Sequence, residues 1–227
     1  KDMGAHFRGL VLDLRGNPGG LLKQSTRVAD MFLAQGRIAS TLGRHPDSVQ
    51  HHEAGGGDIA EGKPIAVLID GKSASAAEIV ASALQDRDRA VVIGTSSYGK
   101  GTVQTVIRLP NDGEITLTWS RLVAPSGYVL HGLGVAPTLC TSGLTAGDAR
   151  AVTRALARTG KSAATLASWR QAGLADEAKR RTLRAACPPK ADKSPEIDFA
   201  LARRLIHDGV LYRRTMAQAS ATTQAQR

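Results

Sequence analysis

Ile65-Ala66-Val67-Leu68-Ile69-Asp70-Gly71-Lys72-Ser73-Ala74-Ser75-Ala76-Ala77-Glu78-Ile79 is the stretch on which the fold of this chain turns. An unbroken apolar run closing on Asp70 reads as a buried strand, and Gly71 with its small neighbours breaks it. Ser75 to about Gln85 then reads as a helix, and Ala90–Ile93 as the next strand. Strand, turn, helix and strand in that order place the chain in the α/β class.

Upstream, His6–Leu14 predicts another buried strand, running into the turn Arg15-Gly16-Asn17-Pro18-Gly19-Gly20. Leu21 to Ala34 carries Leu21, Leu22, Val28, Met31 and Phe32 at helical spacing, and Gly36 stops it. Ile38–Leu42 is a strand, and the polar, Gly-rich Pro46–Gly62 is a loop or a loosely paired hairpin. Downstream, Gly94-Thr95-Ser96-Ser97-Tyr98-Gly99-Lys100-Gly101 leads into Thr102–Leu109, which alternates as a strand. Pro110-Asn111-Asp112-Gly113 turns it back into Glu114–Val123. After Pro137 the composition shifts to Ala, Arg, Lys and Thr. Helices are expected at Thr145–Thr159, Ala164–Ala186 and Ile197–Asp208, separated by Gly160 and by Cys187-Pro188-Pro189, with a fraying tail after Met216. The chain thus divides into a core, 1–138, and a helical extension, 139–227.

With 227 residues, 42% hydrophobic and 22% charged, the chain suits a globular fold, and its apolar runs are too short to cross a bilayer. Aromatics at 4% offer little for stacking on nucleic-acid bases. The net charge of +10 is unevenly held: residues 1–138 carry 14 Lys/Arg against 13 Asp/Glu, and 139–227 carry 16 against 7. The basic extension reads as a solvated helical face, with a peripheral contact on an anionic membrane as the alternative. Strand-like sequence begins almost at Lys1, with nothing resembling a signal peptide, so upstream sequence is expected to be missing.

Three segments can carry chemistry. In Arg15–Gly20, glycines between a strand and a helix can point backbone N–H groups at a negative oxygen, although a plain turn would look the same. In Ser73–Glu78 a hydroxyl stands among small neighbours at a helix start, where negative charge is favoured. Ser75-x-x-Glu78 equally satisfies the capping-box pattern, in which the serine only caps. Gly94-x4-Gly99-Lys100 nearly matches a phosphate loop, but Gly101 replaces the magnesium-binding Ser/Thr and a strand follows instead of a helix, which argues against nucleotide binding.

Taken together, Leu12-Asp13-Leu14-Arg15-Gly16-Asn17-Pro18-Gly19-Gly20, Ser73-Ala74-Ser75-Ala76-Ala77-Glu78-Ile79 and Tyr98-Gly99-Lys100-Gly101-Thr102-Val103-Gln104 resemble the carboxyl-terminal processing peptidases, serine peptidases with a Ser/Lys dyad. Pro125-Ser126-Gly127 and His131-Gly132-Leu133-Gly134-Val135-Ala136-Pro137 resemble the closing part of the same domain. The resemblance covers residues 7–138; nothing diagnostic follows. It implies a crotonase-like or Clp-protease-like core of ββα units. It also implies Ser75 as nucleophile, Lys100 as general base, Gln104 as the residue orienting the lysine, and an oxyanion hole from the backbone N–H of Ala76 and of Gly19 or Gly20. No cofactor or metal is called for. The implied activity is endopeptidase cleavage near protein C-termini, with a PDZ domain normally upstream. Asp70-Gly71-Lys72 departs from the family's more usual Asn-containing run.

The chemistry is self-consistent. A serine hydroxyl needs a neutral base, and burial in an apolar pocket can make a lysine one, so Lys100 is expected to be enclosed. Gln104, four residues on, stays on the same strand face. Ser73 is the natural control for Ser75. None of the six histidines is placed as a triad base, and His51-His52-Glu53 reads as an exposed loop, not a metal cluster. Trp119 and Trp169 read as packing residues. A catalytically silent scaffold and a crotonase-type acyl-CoA enzyme share the fold, but Lys100 and Gln104 have no evident task in the second. Cys140 and Cys187 flank the first two C-terminal helices in loop-like sequence and are expected to pair, against the alternative of two free thiols. Pairing would stabilise by about 4 kcal/mol and place the chain in an oxidising compartment such as a bacterial periplasm or cell envelope.

Overall fold

The computed structural model describes residues 7–145, 148, 150–190 and 195–224. Two four-stranded sheets form its frame. The first is parallel, with strands β1 (Leu10–Asp13), β4 (Ile65–Ile69), β5 (Val91–Gly94) and β8 (Leu139–Cys140) in the order β1-β4-β5-β8. The second is antiparallel, with β2 (Gly36–Leu42), β3 (Gln50–Ala54), β6 (Thr102–Arg108) and β7 (Glu114–Val123) in the order β3-β2-β7-β6. Helices α1 (Leu22–Asp30) and α2 (Ala76–Asp86) connect strands within this frame.

Strand β4 is buried along its whole length because both sheet faces are covered, which is why its sequence shows no polar alternation. Ile65, Val67 and Ile69 pack with α1, α2 and the second sheet, while Ala66 and Leu68 point the other way. That second face is closed by the C-terminal helices α3 (Ala151–Ala157), α6 (Pro195–His207) and α7 (Gly209–Gln224), through Ala155, Leu201, Leu205 and Tyr212. The Tyr212 hydroxyl also reaches the backbone of Ile65, accepting from its N–H and donating to its carbonyl, both at 3.1 Å. Helices α4 (Thr159–Arg170) and α5 (Glu177–Ala186) lie on the opposite side, where Trp169 is fully buried and donates from Nε1 to the Gly134 carbonyl at 3.0 Å.

Several sequence expectations need correction. His51-His52-Glu53 belongs to β3, not to a loop, and its polarity suits an edge strand, with Arg37 holding Glu53 at 2.5 Å and His51 at 2.8 Å. The expected helix Ala164–Ala186 is two helices, because residues 171–176 break it and Asp176 starts α5 by accepting the Lys179 N–H at 3.0 Å. Gly160 lies inside the first turn of α4 instead of separating helices. Beyond Met216 the chain continues as α7 to Gln224, with Ala219 packed in the core. Trp119 is half exposed and tilts over His45 at 5.5 Å instead of packing inside. His6 and part of the expected Thr145–Thr159 helix lie outside the described residues.

Candidate active site

The parallel sheet delivers its loops to one end, where the three sequence segments meet. Strand β1 feeds Arg15–Gly20, β4 feeds Asp70–Ser75, and β5 feeds Thr95–Gly101. Such loops beyond the carboxyl ends of parallel strands are where open α/β sheets place ligands.

Ser75 is the last residue before α2 and has φ 54° and ψ −115°, a conformation that side-chain-bearing residues rarely adopt. The surrounding turn imposes it. The Ser75 N–H donates to Glu78 Oε2 at 2.7 Å, and the Ala74 N–H donates to the Asn17 carbonyl at 2.9 Å. Ser75 and Glu78 form the capping box read from sequence: the Glu78 carboxylate accepts the Ser75 N–H, and the Ser75 side chain faces the Glu78 N–H without a full hydrogen bond. The Glu78 N–H donates to the Ser75 carbonyl at 2.9 Å. The capping relation read from sequence is thus present in the structure, and it places Ser75 at the start of α2.

A cleft of about 350 Å³ collects Ser75, Ala76, Lys100, Gln104 and Gly20, with Leu21, Leu22 and Ile79 as its apolar wall. No histidine is among the described residues that line it. Gly19, at φ +105°, lies against this turn so tightly that a Cβ there would stand 2.7 Å from the Ala74 carbonyl oxygen. Its N–H is already given to Asn17 Oδ1 at 2.9 Å. Of the two glycines, Gly20 is the one that lines the cleft.

Two buried carboxylates staple the three segments together. Asp70 Oδ1 accepts from the N–H groups of Gly16 and Lys72, both at 2.9 Å, and of Ser73 at 3.0 Å, joining the first segment to the second. Glu78, with no exposed surface, accepts from the Gly99 N–H at 2.6 Å, the Lys100 N–H at 2.9 Å and the Ser97 hydroxyl, joining the second to the third. Burial pushes the Glu78 carboxyl above its ordinary value, against the pull of these donors. Glu78 was legible only as a capping residue; its reach to Lys100 is tertiary and leaves no local pattern.

Two expectations about this site change. Lys100 stands exposed, because the wall beside it is itself open: Leu21 is 71% exposed. Ser73 is no neutral control. Its buried hydroxyl donates to the Leu14 carbonyl at 2.8 Å and accepts the Asp70 N–H at 2.9 Å, so removing it would loosen the scaffold. Gln104 is also exposed and shares the cleft with Lys100. Cys140 at the end of β8 and Cys187 at the end of α5 are joined in a disulfide, with Cα atoms 6.0 Å apart. Among the described residues no cluster of His, Cys, Asp and Glu could hold a metal ion, and no helix is long and apolar enough to cross a membrane.

A family model described as peptidase family S41 matches residues 1–140, which include all three segments. The chain belongs to peptidase family S41. Within the family it is similar to a carboxy-terminal-processing protease of Bartonella bacilliformis, 52% identical over 133 residues, covering 59% of this chain and 31% of the relative. A carboxyl-terminal-processing protease of Synechocystis sp. is 36% identical over 129 residues, covering 57% of this chain and 30% of the relative. Among solved structures, a photosystem II D1 C-terminal processing protease shares 34% identity at a TM-score of 0.53, covering 57% of this chain and 33% of that one. The chain spans about a third of the length of the curated relatives it matches. The α/β core is that of the S41 peptidases, and residues 141–227 lie beyond the family match.

Proposed function

We propose that this chain carries the catalytic core of a serine endopeptidase that cleaves protein substrates near their C-termini through an acyl-enzyme. The observation that carries the reading is Ser75. Its hydroxyl is held in a strained strand-to-helix turn, in one cleft with a lysine and a glutamine and, among the described residues, without a histidine. Neutral Lys100 takes the proton from Ser75 Oγ as the oxygen attacks the scissile carbonyl carbon. The resulting oxyanion accepts from the backbone N–H groups of Ala76 and Gly20, with α2 adding its positive end. Collapse breaks the C–N bond, and Lys100 returns the proton to the leaving amine. Water, deprotonated by the same amine, then hydrolyses the ester. Gln104 holds the amine without adding a charge. Because Lys100 is open to solvent here, a peptide lying along Leu21 and Leu22 would supply the desolvation that the base needs. The disulfide supports work in an oxidising compartment such as the periplasm.

The test is cleavage of a peptide with a free C-terminus, together with labelling by a serine-directed phosphonate located by mass spectrometry. Ser75→Ala is expected to abolish both, and Lys100→Arg, which keeps the charge but lacks an accessible neutral form, to lower both at least about a hundredfold. Label on another residue, or near-normal turnover by either variant, would overturn the reading.

A further inference from the structure

The segment beyond the family match touches all three loops of the site from behind. On the first, Asp198 of α6 lies 3.5 Å from Arg15. On the second, the Gly71 N–H donates to the Lys190 carbonyl at 2.7 Å. Most of the contact falls on the third. Arg184 of α5 donates from one nitrogen to the Leu133 carbonyl and from another to the Tyr98 carbonyl at 3.2 Å, two residues before Lys100. Arg180, one helical turn earlier and almost wholly buried, donates to the Val129 carbonyl at 3.1 Å and to the His131 carbonyl. The loop 129–134 so held is the one that carries the lysine loop: the Gly132 N–H donates to the Gly99 carbonyl at 2.9 Å, and a Cβ on Gly101 would stand 2.1 Å from the His131 nitrogen.

Burying the Arg180 guanidinium against carbonyls, with that of Arg184 half-buried beside it, is costly, and burial and mutual repulsion hold Arg180 below its ordinary value. The arrangement therefore needs a compensating purpose. The fork of donors on arginine suits it to fixing two carbonyls at once. Burial likewise holds Arg184 below its ordinary value, with the Glu78 charge pulling the other way; Glu78 meets the lysine loop at the Lys100 N–H and Arg184 meets it at the Tyr98 carbonyl. The disulfide fixes the end of α5, three residues from Arg184, to the end of β8, beside Gly94 where the third segment begins.

We infer that α5 is a brace for the lysine loop and that Arg184 is a positioning residue, placing Lys100 opposite Ser75 from a part of the chain that the family match does not include. This rests on the roles proposed above for Ser75 and Lys100, and the experiment separates the two. Amide hydrogen exchange and peptidase kinetics are measured on the full chain and on Arg184→Met, Arg184→Lys and Arg181→Met. Arg181 is the control, an exposed neighbour on the same helix paired with Glu177 at 3.3 Å. Arg184→Met is expected to raise exchange at least tenfold at residues 98–101 and 129–134 with β4 amides unchanged, and to lower kcat at least tenfold with KM within twofold. Arg184→Lys should recover part of both, and Arg181→Met should match the parent. Exchange raised uniformly, or unchanged at 98–101, would overturn the brace. Should Arg184→Met not fold, Arg184→Lys decides by the same local-against-uniform criterion. A parent chain that neither cleaves nor labels sinks the peptidase reading alone, since the exchange pattern stands without it.

Discussion

At Glu78 a single carboxylate fixes the backbone of both Ser75 and Lys100, and the sign of its pH dependence follows from its burial. Its folded pKa lies above the ordinary 4.5, so the folded chain binds that proton more tightly than the unfolded chain. The stability it contributes is complete below pH 4.5 and is lost as pH rises through the elevated folded value. Glu78→Gln should flatten this part of the stability–pH curve measured by urea unfolding. It also turns one acceptor into an NH₂ donor facing N–H groups, so the variant should lose about 1–3 kcal/mol and label more slowly at Ser75. An unchanged curve would show that Glu78 does not titrate in that range. At this scale the sequence could point to Ser75, Lys100 and Gln104 only through the motifs that resemble the carboxyl-terminal processing peptidases, because such motifs are local. It could not show that Asp70 and Glu78 tie the segments together, nor that Lys100 is open to solvent, since both depend on chain from elsewhere.

Elements were legible where their signal is continuous. The apolar runs of β4 and β5 and the hairpin of β6 and β7 follow directly from pattern and turn residues. Strand β8 has two residues and exists through pairing with β5, so periodicity has nothing to detect. The break between α4 and α5 did leave a signal, Gly173 followed by the helix-starting Asp176, but the surrounding Ala and Arg pattern runs straight across it. Turns carry their own prediction. Gly19→Ala puts a methyl against the Ala74 carbonyl at a positive φ, so it should shift the Ser75 turn and cut phosphonate labelling at least tenfold. Gly20 has open space around it, so Gly20→Ala should leave the melting temperature within a few degrees of the parent. Equal labelling by Gly19→Ala and the parent would show that the turn adapts.

Across the whole molecule, the basic extension is less a polyelectrolyte than its composition suggests. Arg170 pairs with buried Asp86 at 3.0 Å, and Arg180 and Arg184 are spent on carbonyls, so part of its charge serves internal contacts. The extension also closes the parallel sheet. Leu201, fully buried on α6 against β4 and β5, should cost about 2–5 kcal/mol when replaced by alanine, measured by urea unfolding. A loss below 0.5 kcal/mol, on the order of a neutral surface change, would mean that the helices merely rest on the sheet. This closure has a consequence in time. Leu68 and Ile93 cannot be covered until residues 197–212 have been made, and at about 5–20 residues per second the interval after β4 is roughly 7–30 s. During that interval the sheet has one greasy side, and α5 is not yet seated behind the lysine loop. A partly made chain is therefore exposed before its lysine loop is braced, and the candidate site would be assembled only once the extension has been made.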